Sequence, residues 1–213
     1  MNFPLLLSRL AFFVVALIGL VTSPAWSANE APDAFISRLS TTVLASIKAD
    51  KTLQAGDVQK IMVLVDNQIM PNVDFQRMTS SAVGPAWRKA TPEQKKQLEQ
   101  QFKLLLIRTY SGALSQVGDQ QVVMRPMRMA PEDTEVIVRT QIKGSGEPVQ
   151  LDYRLEKAPG DGPGWKIYDI NVLGVWLVQT YRGQFAREIN ANGLEGLIAT
   201  LTERNQSAGS GKN

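Results

Sequence analysis

The stretch EVIVRTQIKGSGEPVQLDYRLE, residues 135–156, decides the fold. Val136, Val138 and Ile142 alternate with Glu135, Arg139 and Lys143. Beyond Gly144-Ser145-Gly146, Val149, Leu151, Tyr153 and Leu155 alternate with Gln150, Asp152, Arg154 and Glu156. A period of two in both runs, joined by a glycine-rich turn, is the pattern of a β-hairpin with one apolar and one solvated face. Residues 158–164 (APGDGPG) make a second hairpin connection into a strand over Trp165–Val172. An earlier strand over about residues 121–129 contains Pro126, which has no N–H to donate and so belongs at an edge. The expectation is an α+β fold: a single domain built on an antiparallel meander of about four strands, covered on one face by helices.

The helices lie on either side of this block. Asp33 can cap a helix in which Phe35, Leu39, Val43 and Ile47 recur at four-residue spacing. Asp57 caps a second, with Val58, Ile61, Val65 and Ile69 on one face and Pro71 as its stop. Asp74 caps a short third segment over Phe75–Val83, ended by Gly84-Pro85. Thr91-Pro92-Glu93-Gln94 is a capping box with proline at the first helical position. Leu98, Phe102, Leu106, Tyr110 and Leu114 then form an apolar stripe, widened by Leu105 and Ile107, and Gly118 is its expected terminator. After Gly174 a helix carries Val178, Tyr181, Phe185 and Ile189 as far as Asn192-Gly193, and a last one follows with Leu194, Leu197, Ile198 and Leu201. Residues 206–213 (QSAGSGKN) read as a disordered tail.

The first 27 residues read as a secretory signal peptide. Arg9 closes a short basic region, residues 10–21 (LAFFVVALIGLV) are uninterruptedly apolar, and Pro24 precedes the small-x-small cleavage site Ala25-Trp26-Ser27. The apolar run is short for a bilayer span. An exported domain over residues 28–205 follows, and without cysteine it is neither disulfide-stapled nor a lipoprotein. Absence of histidine removes Ser-His-Asp and Cys-His nucleophile systems, the HExxH zinc site and the commonest proton shuttle near neutral pH. The formal charge of +3 comes without a basic cluster interleaved with aromatics, which argues against nucleic acid as a partner.

What remains for chemistry is sparse. Asp152, Arg154 and Glu156 pose as paired carboxylates, but their place on the polar phase of a strand favours a solvated face. Asp169, between Tyr168 and Ile170 in an apolar strand, fits a buried, hydrogen-bonded structural role better than a catalytic one. The glycines between residues 160 and 164 lack the GKS/GKT ending of a phosphate loop and join two strands. No residue grouping reads as a metal site, and no cofactor is expected. Phe75, Met78, Trp87, Phe102, Tyr110, Trp165, Trp176, Tyr181 and Phe185 fall on or beside apolar faces. They suit an ordinary core, or the walls of a pocket between splayed helices and sheet, and periodicity does not separate the two.

Three stretches resemble the MlaC family of periplasmic phospholipid carriers, also called toluene-tolerance auxiliary transport proteins. Ile69-Met70-Pro71-Asn72-Val73-Asp74-Phe75 is similar to the family's ILP-x-(V/F)-D-F segment. Residues 84–110 follow, with Trp87, the capping box, Phe102 and the ending Arg108-Thr109-Tyr110. The most specific is Trp165-Lys166-Ile167-Tyr168-Asp169-Ile170, running through Gly174-Val175 to Tyr181-Arg182 and Gln184-Phe185 and closing on Gly193-Leu194-Glu195-Gly196-Leu197-Ile198. The resemblance spans nearly the whole exported chain. Trp176 departs from it, standing where a small residue, commonly serine, follows Gly-Val.

The resemblance implies a fold of NTF2-like or cystatin-like character whose sheet and helices enclose an apolar lipid cavity. It implies a soluble monomer that moves diacyl phospholipid between the two membranes of a Gram-negative envelope as part of an Mla-type ABC transport system for outer-membrane lipid asymmetry. Its implied partners are an inner-membrane MCE-domain/ABC transporter complex and an outer-membrane lipoprotein-porin complex. Family position and facing together nominate Val136, Val138, Leu151 and Tyr153 as strand wall residues, with Phe75, Trp87, Phe102, Leu106 and Tyr110 from the earlier helices. Val175, Val178, Tyr181 and Phe185 join them from the later helix, and Arg182 is a headgroup or partner contact, or a surface ion pair. Two other classes stay open: a lipid-free periplasmic interaction module, and a carboxylate- or tyrosine-based enzyme using Asp169 with Tyr168 or Lys166.

Overall fold

The computed structural model describes residues 30–158, 160 and 162–210, so the signal-peptide reading lies outside the described residues. Helices α1 (Pro32–Ala49), α2 (Lys51–Gln54), α3 (Val58–Leu64), α4 (Phe75–Val83) and α5 (Pro92–Tyr110) precede the strands. Strands β1 (Gln121–Met124), β2 (Glu135–Lys143), β3 (Val149–Lys157), β4 (Trp165–Val172) and β5 (Val175–Trp176) form one antiparallel sheet in sequence order, and α6 (Leu177–Ser210) closes the chain. The expected α+β meander is observed, with β5 as a strand beyond the four read from the sequence.

Local chemistry accounts for most boundaries. The Asp57 carboxylate accepts the N–H groups of Gln59 and Lys60, Asp74 that of Arg77, and Thr91 and Gln94 complete a reciprocal capping box. Helix α1 starts differently from the expectation. Ala31 is the cap and Pro32 opens the helix, because proline's fixed φ and missing N–H suit the first position, while Asp33 sits in the first turn. The second helix relaxes into a π turn at Val65–Ile69 and a tight turn at Met70–Asn72, and Pro71, lacking an N–H, ends regular pairing there. Helix α5 stops at Tyr110, short of the expected Gly118, and tightens into a 3-10 turn at Ser111–Gln116. Residue Gly193, at φ 72° and ψ −172°, breaks α6 where the sequence places a boundary. Helix α6 runs to Ser210, and the Asn205 amide donates to the Gln101 carbonyl at 2.9 Å and to its side-chain oxygen at 2.8 Å. Residues 211–213 lie outside the described residues.

Both ends of the sheet differ from the sequence reading in detail. Strand β1 ends at Met124, two residues before Pro126, and does not reach residue 129. Leu173 (φ 53°) and Gly174 (φ 89°) form the two-residue turn between β4 and β5, folding Val175 and Trp176 back along β4 before the helix begins. On that side of β4, Val73 forms a parallel bridge with Ile167, and the Asp74 N–H donates to the Ile167 carbonyl at 2.8 Å. The first half of the β4 edge is thus covered by residues 73–74 and the second by β5.

Three apolar clusters carry the packing. The first joins α4, α5 and α6 around Met78, Ala82, Leu98, Phe102, Phe185, Leu197 and Leu201. The second seats α1, through Phe35, Ile36 and Leu39, on Val136, Val138, Tyr153, Leu155, Trp165 and Ile167 of the sheet. The third ties Ile47, Leu53, Ile61, Leu64 and Ile107 together at the far end. Charge also binds the layers. Arg77 on α4 stacks 3.6 Å over the Tyr168 ring and pairs with Glu135, at 2.7 Å, and with Glu156, two carboxylates directly opposite each other on β2 and β3. One guanidinium removes their mutual repulsion and fixes α4 to three strands.

Candidate functional site

Eleven of the thirteen nominated wall residues fall into two groups. Phe75, Trp87, Phe102, Leu106, Val178, Tyr181 and Phe185 belong to the α4–α5–α6 cluster. Val136, Val138, Leu151 and Tyr153 belong to the α1–sheet cluster. Val73 and Ile170 pack against both, so the interior is continuous across them. The sequence stripes bring four rings together: Phe102 is fully buried, with Phe75, Tyr181 and Phe185 at centroid distances of 5.8, 5.0 and 5.3 Å, the last two edge-on.

Tyr110 and Val175 belong to neither cluster; Tyr110 is 36% exposed and Val175 is 52% exposed. The sequence pattern puts Val175 with the later helix; the tight turn at Leu173-Gly174 places it on β5 instead. Burial and the nearby Tyr181 raise the Tyr110 hydroxyl above its ordinary value. Arg182 is exposed on α6, its arm lying beside Gly84. Sequence reasoning passed over Phe35 and Ile36, both at 0% exposure beneath the sheet, and Met124 and Met127, which pack against the same cluster. The apolar stripe of α1 was the available signal for Phe35; nothing marked the methionines.

Polar groups in this interior are few and held. The Tyr153 hydroxyl lies 3.5 Å from Ser40 Oγ, and burial pushes it up to about 12, so it stays neutral. Asp152 corrects the reading of a solvated phase. It is 4% exposed, accepting the Thr140 N–H at 3.3 Å and the Gln150 amide at 2.6 Å, because the strand's polar face is covered at this point.

Asp169, 1% exposed, has the hydrogen-bonded structural arrangement expected of it. Its Oδ1 accepts the N–H groups of Ile170, at 2.9 Å, and Val178, at 3.1 Å, in the first turn of α6, and Oδ2 accepts Arg154 Nη1 at 3.0 Å. Arg154 in turn lies 4.0 Å over the Trp176 ring, which gives the tryptophan its place on β5. Among the described residues, no three of the metal-ligating types gather in one place.

Desolvation raises the Asp169 carboxyl above its ordinary 3.8, against the opposing pull of Val178, Ile170 and Arg154. The native carboxyl therefore keeps its proton to higher pH than the unfolded chain's does. Its contribution to stability is fully present below the unfolded value and is lost as pH rises through the native one. Urea unfolding across the acid range should show wild type losing stability relative to Asp169→Asn as pH climbs from 3.8, then levelling. A pH-independent difference would show the carboxyl to be unshifted.

Comparison with known proteins agrees with this geometry. The family model described as MlaC protein matches residues 37–203. The chain is 26% identical to the toluene tolerance protein ttg2D of Pseudomonas putida over 168 residues, 78% of this chain and 76% of that one. It is 23% identical to the intermembrane phospholipid transport system binding protein MlaC of Haemophilus influenzae over 178 residues, 83% of each. A phospholipid-binding protein from Ralstonia solanacearum, solved in complex with a phospholipid, is 47% identical. It covers 84% of this chain and 98% of its own, with a TM-score of 0.79.

Proposed function

Because the chain belongs to the MlaC family, we propose that it binds a diacyl phospholipid between sheet and helices and carries it through the periplasm between the inner and outer membranes. One observation carries the reading: eleven of the thirteen residues nominated as walls form two apolar groups meeting at Val73 and Ile170, in a fold shared with a 47% identical protein solved in complex with a phospholipid. The name of the Haemophilus influenzae relative supports intermembrane transport as its context. The donor and acceptor are an MCE-domain/ABC transporter complex and an outer-membrane lipoprotein-porin complex.

The work needs no covalent chemistry. Burying acyl chain is favourable by about 0.8 kcal/mol per methylene, so two long tails contribute on the order of 20 kcal/mol gross. Release into water is correspondingly slow, and unloading requires contact with an acceptor. The walls are Val138 and Tyr153 from the sheet and Phe75, Phe102, Leu106 and Phe185 from the helices. Native mass spectrometry of the periplasmic protein, with organic extraction of bound material, tests this. Stoichiometric diacyl phospholipid is the expected result. A mass free of ligand, unchanged after incubation with liposomes, would sink the carrier reading and leave an interaction module.

A further inference from the structure

The segment MRPMRM, residues 124–129, lies outside the nominated walls, yet it borders a recess at the sheet edge. Strand β1 pairs with residues 140–143 of β2, and a last rung runs from the Arg125 N–H to the Arg139 carbonyl at 2.9 Å. Pro126 offers no N–H for another, so the chain leaves β2 and returns only at Glu135. Residues 135–138 of β2 thus have β3 on one side and, on the other, a recess of about 560 Å³. Its lining includes Met127, Arg128, Val136, Ile137 and Arg139.

Two properties of the recess matter. Its floor is the core: Val136 is a buried member of the α1–sheet cluster, and Met127 packs against that same cluster. Methionine is the side chain best able to move aside without leaving a rigid gap. Its rim is cationic in effect. The carboxylates there are engaged, Asp133 with the Ala130 N–H at 2.8 Å and Glu135 with Arg77 and Tyr168. Arg128 and Arg139 are exposed, and neither forms an ion pair among the described residues.

The geometry points to a lateral mouth of the lipid cavity here, with Arg128 and Arg139 holding the phosphate of an anionic glycerophospholipid and Met127 yielding to its acyl chain. This rests on the carrier reading and deepens it. Guanidinium forks match a phosphodiester, and an apolar floor joined to the core takes the tail. Free phosphate satisfies the rim but not the floor.

The chain has no cysteine, so Met127→Cys takes a single environment-sensitive bimane label. Dihexanoyl phosphatidylglycerol below its micellar concentration should shift the emission to the blue. Inorganic phosphate should not, nor should a label on Val63→Cys, 58% exposed on α3, respond to either. In the labelled protein, Arg128→Gln with Arg139→Gln should raise the lipid concentration needed about tenfold, with circular dichroism unchanged. An equal response to phosphate would make this a free-anion site and overturn the mouth. So would lipid bound by native mass spectrometry with the Met127→Cys label silent, or a label that responds only to a protein acceptor. Absence of bound lipid in the same spectra would instead remove the carrier reading itself.

Discussion

Replacing Leu106 with tryptophan should strip most of the phospholipid that co-purifies with the protein while leaving it folded. Leu106 is half-buried on α5 and packs against the α4–α5–α6 cluster from its margin. An indole there projects into the space assigned to acyl chain, whereas at fully buried Val138 it would clash with the sheet itself. Overpacking costs roughly 1–3 kcal/mol, which converts to about a 5- to 150-fold loss of affinity for lipid if the cost falls on the ligand. Lipid per protein after organic extraction is the readout, with the thermal midpoint as control. Unchanged lipid would take Leu106 out of the wall.

Phe102→Ala should act in the opposite sense, on the fold before the cargo. Phe102 touches rings from α4 and from both of the Tyr181 and Phe185 positions of α6, so its loss opens a void where three helices meet. Truncating a buried phenylalanine costs about 3–5 kcal/mol. For a domain of this size that lowers the thermal midpoint by on the order of 10 °C. A calorimetric midpoint within a degree of wild type would mean that the helices do not meet through this ring.

The elements legible in the sequence are those with a local cause. Alternation from Val136 to Leu155 needs only the two-residue period of a pleated strand, and the caps at Asp57, Asp74 and Thr91 need only a side-chain oxygen within reach of the next amides. What escaped has no signature in hydrophobic period. Asp152 is buried and its carboxylate is held by the Thr140 N–H of the neighbouring strand and by the Gln150 amide, and β5 exists because Leu173 accepts a positive φ that its own preference disfavours. The site was half legible for the same reason. Stripes foretold that Phe75, Phe102, Tyr181 and Phe185 would meet, but a pocket wall and a core share one pattern, and Met127 reaches the interior only through a loop.

The covering of β4 has a consequence for self-association. Growth of a fibre by strand addition needs two usable edges on every molecule, one to accept and one to offer. Among the described residues, 73–74 and β5 occupy the two ends of the β4 edge, and β5, at two residues, is too short to serve as a template. Any strand exchange between copies is therefore confined to the β1–β2 side, where a pair of molecules uses up both of its edges and growth ends at two.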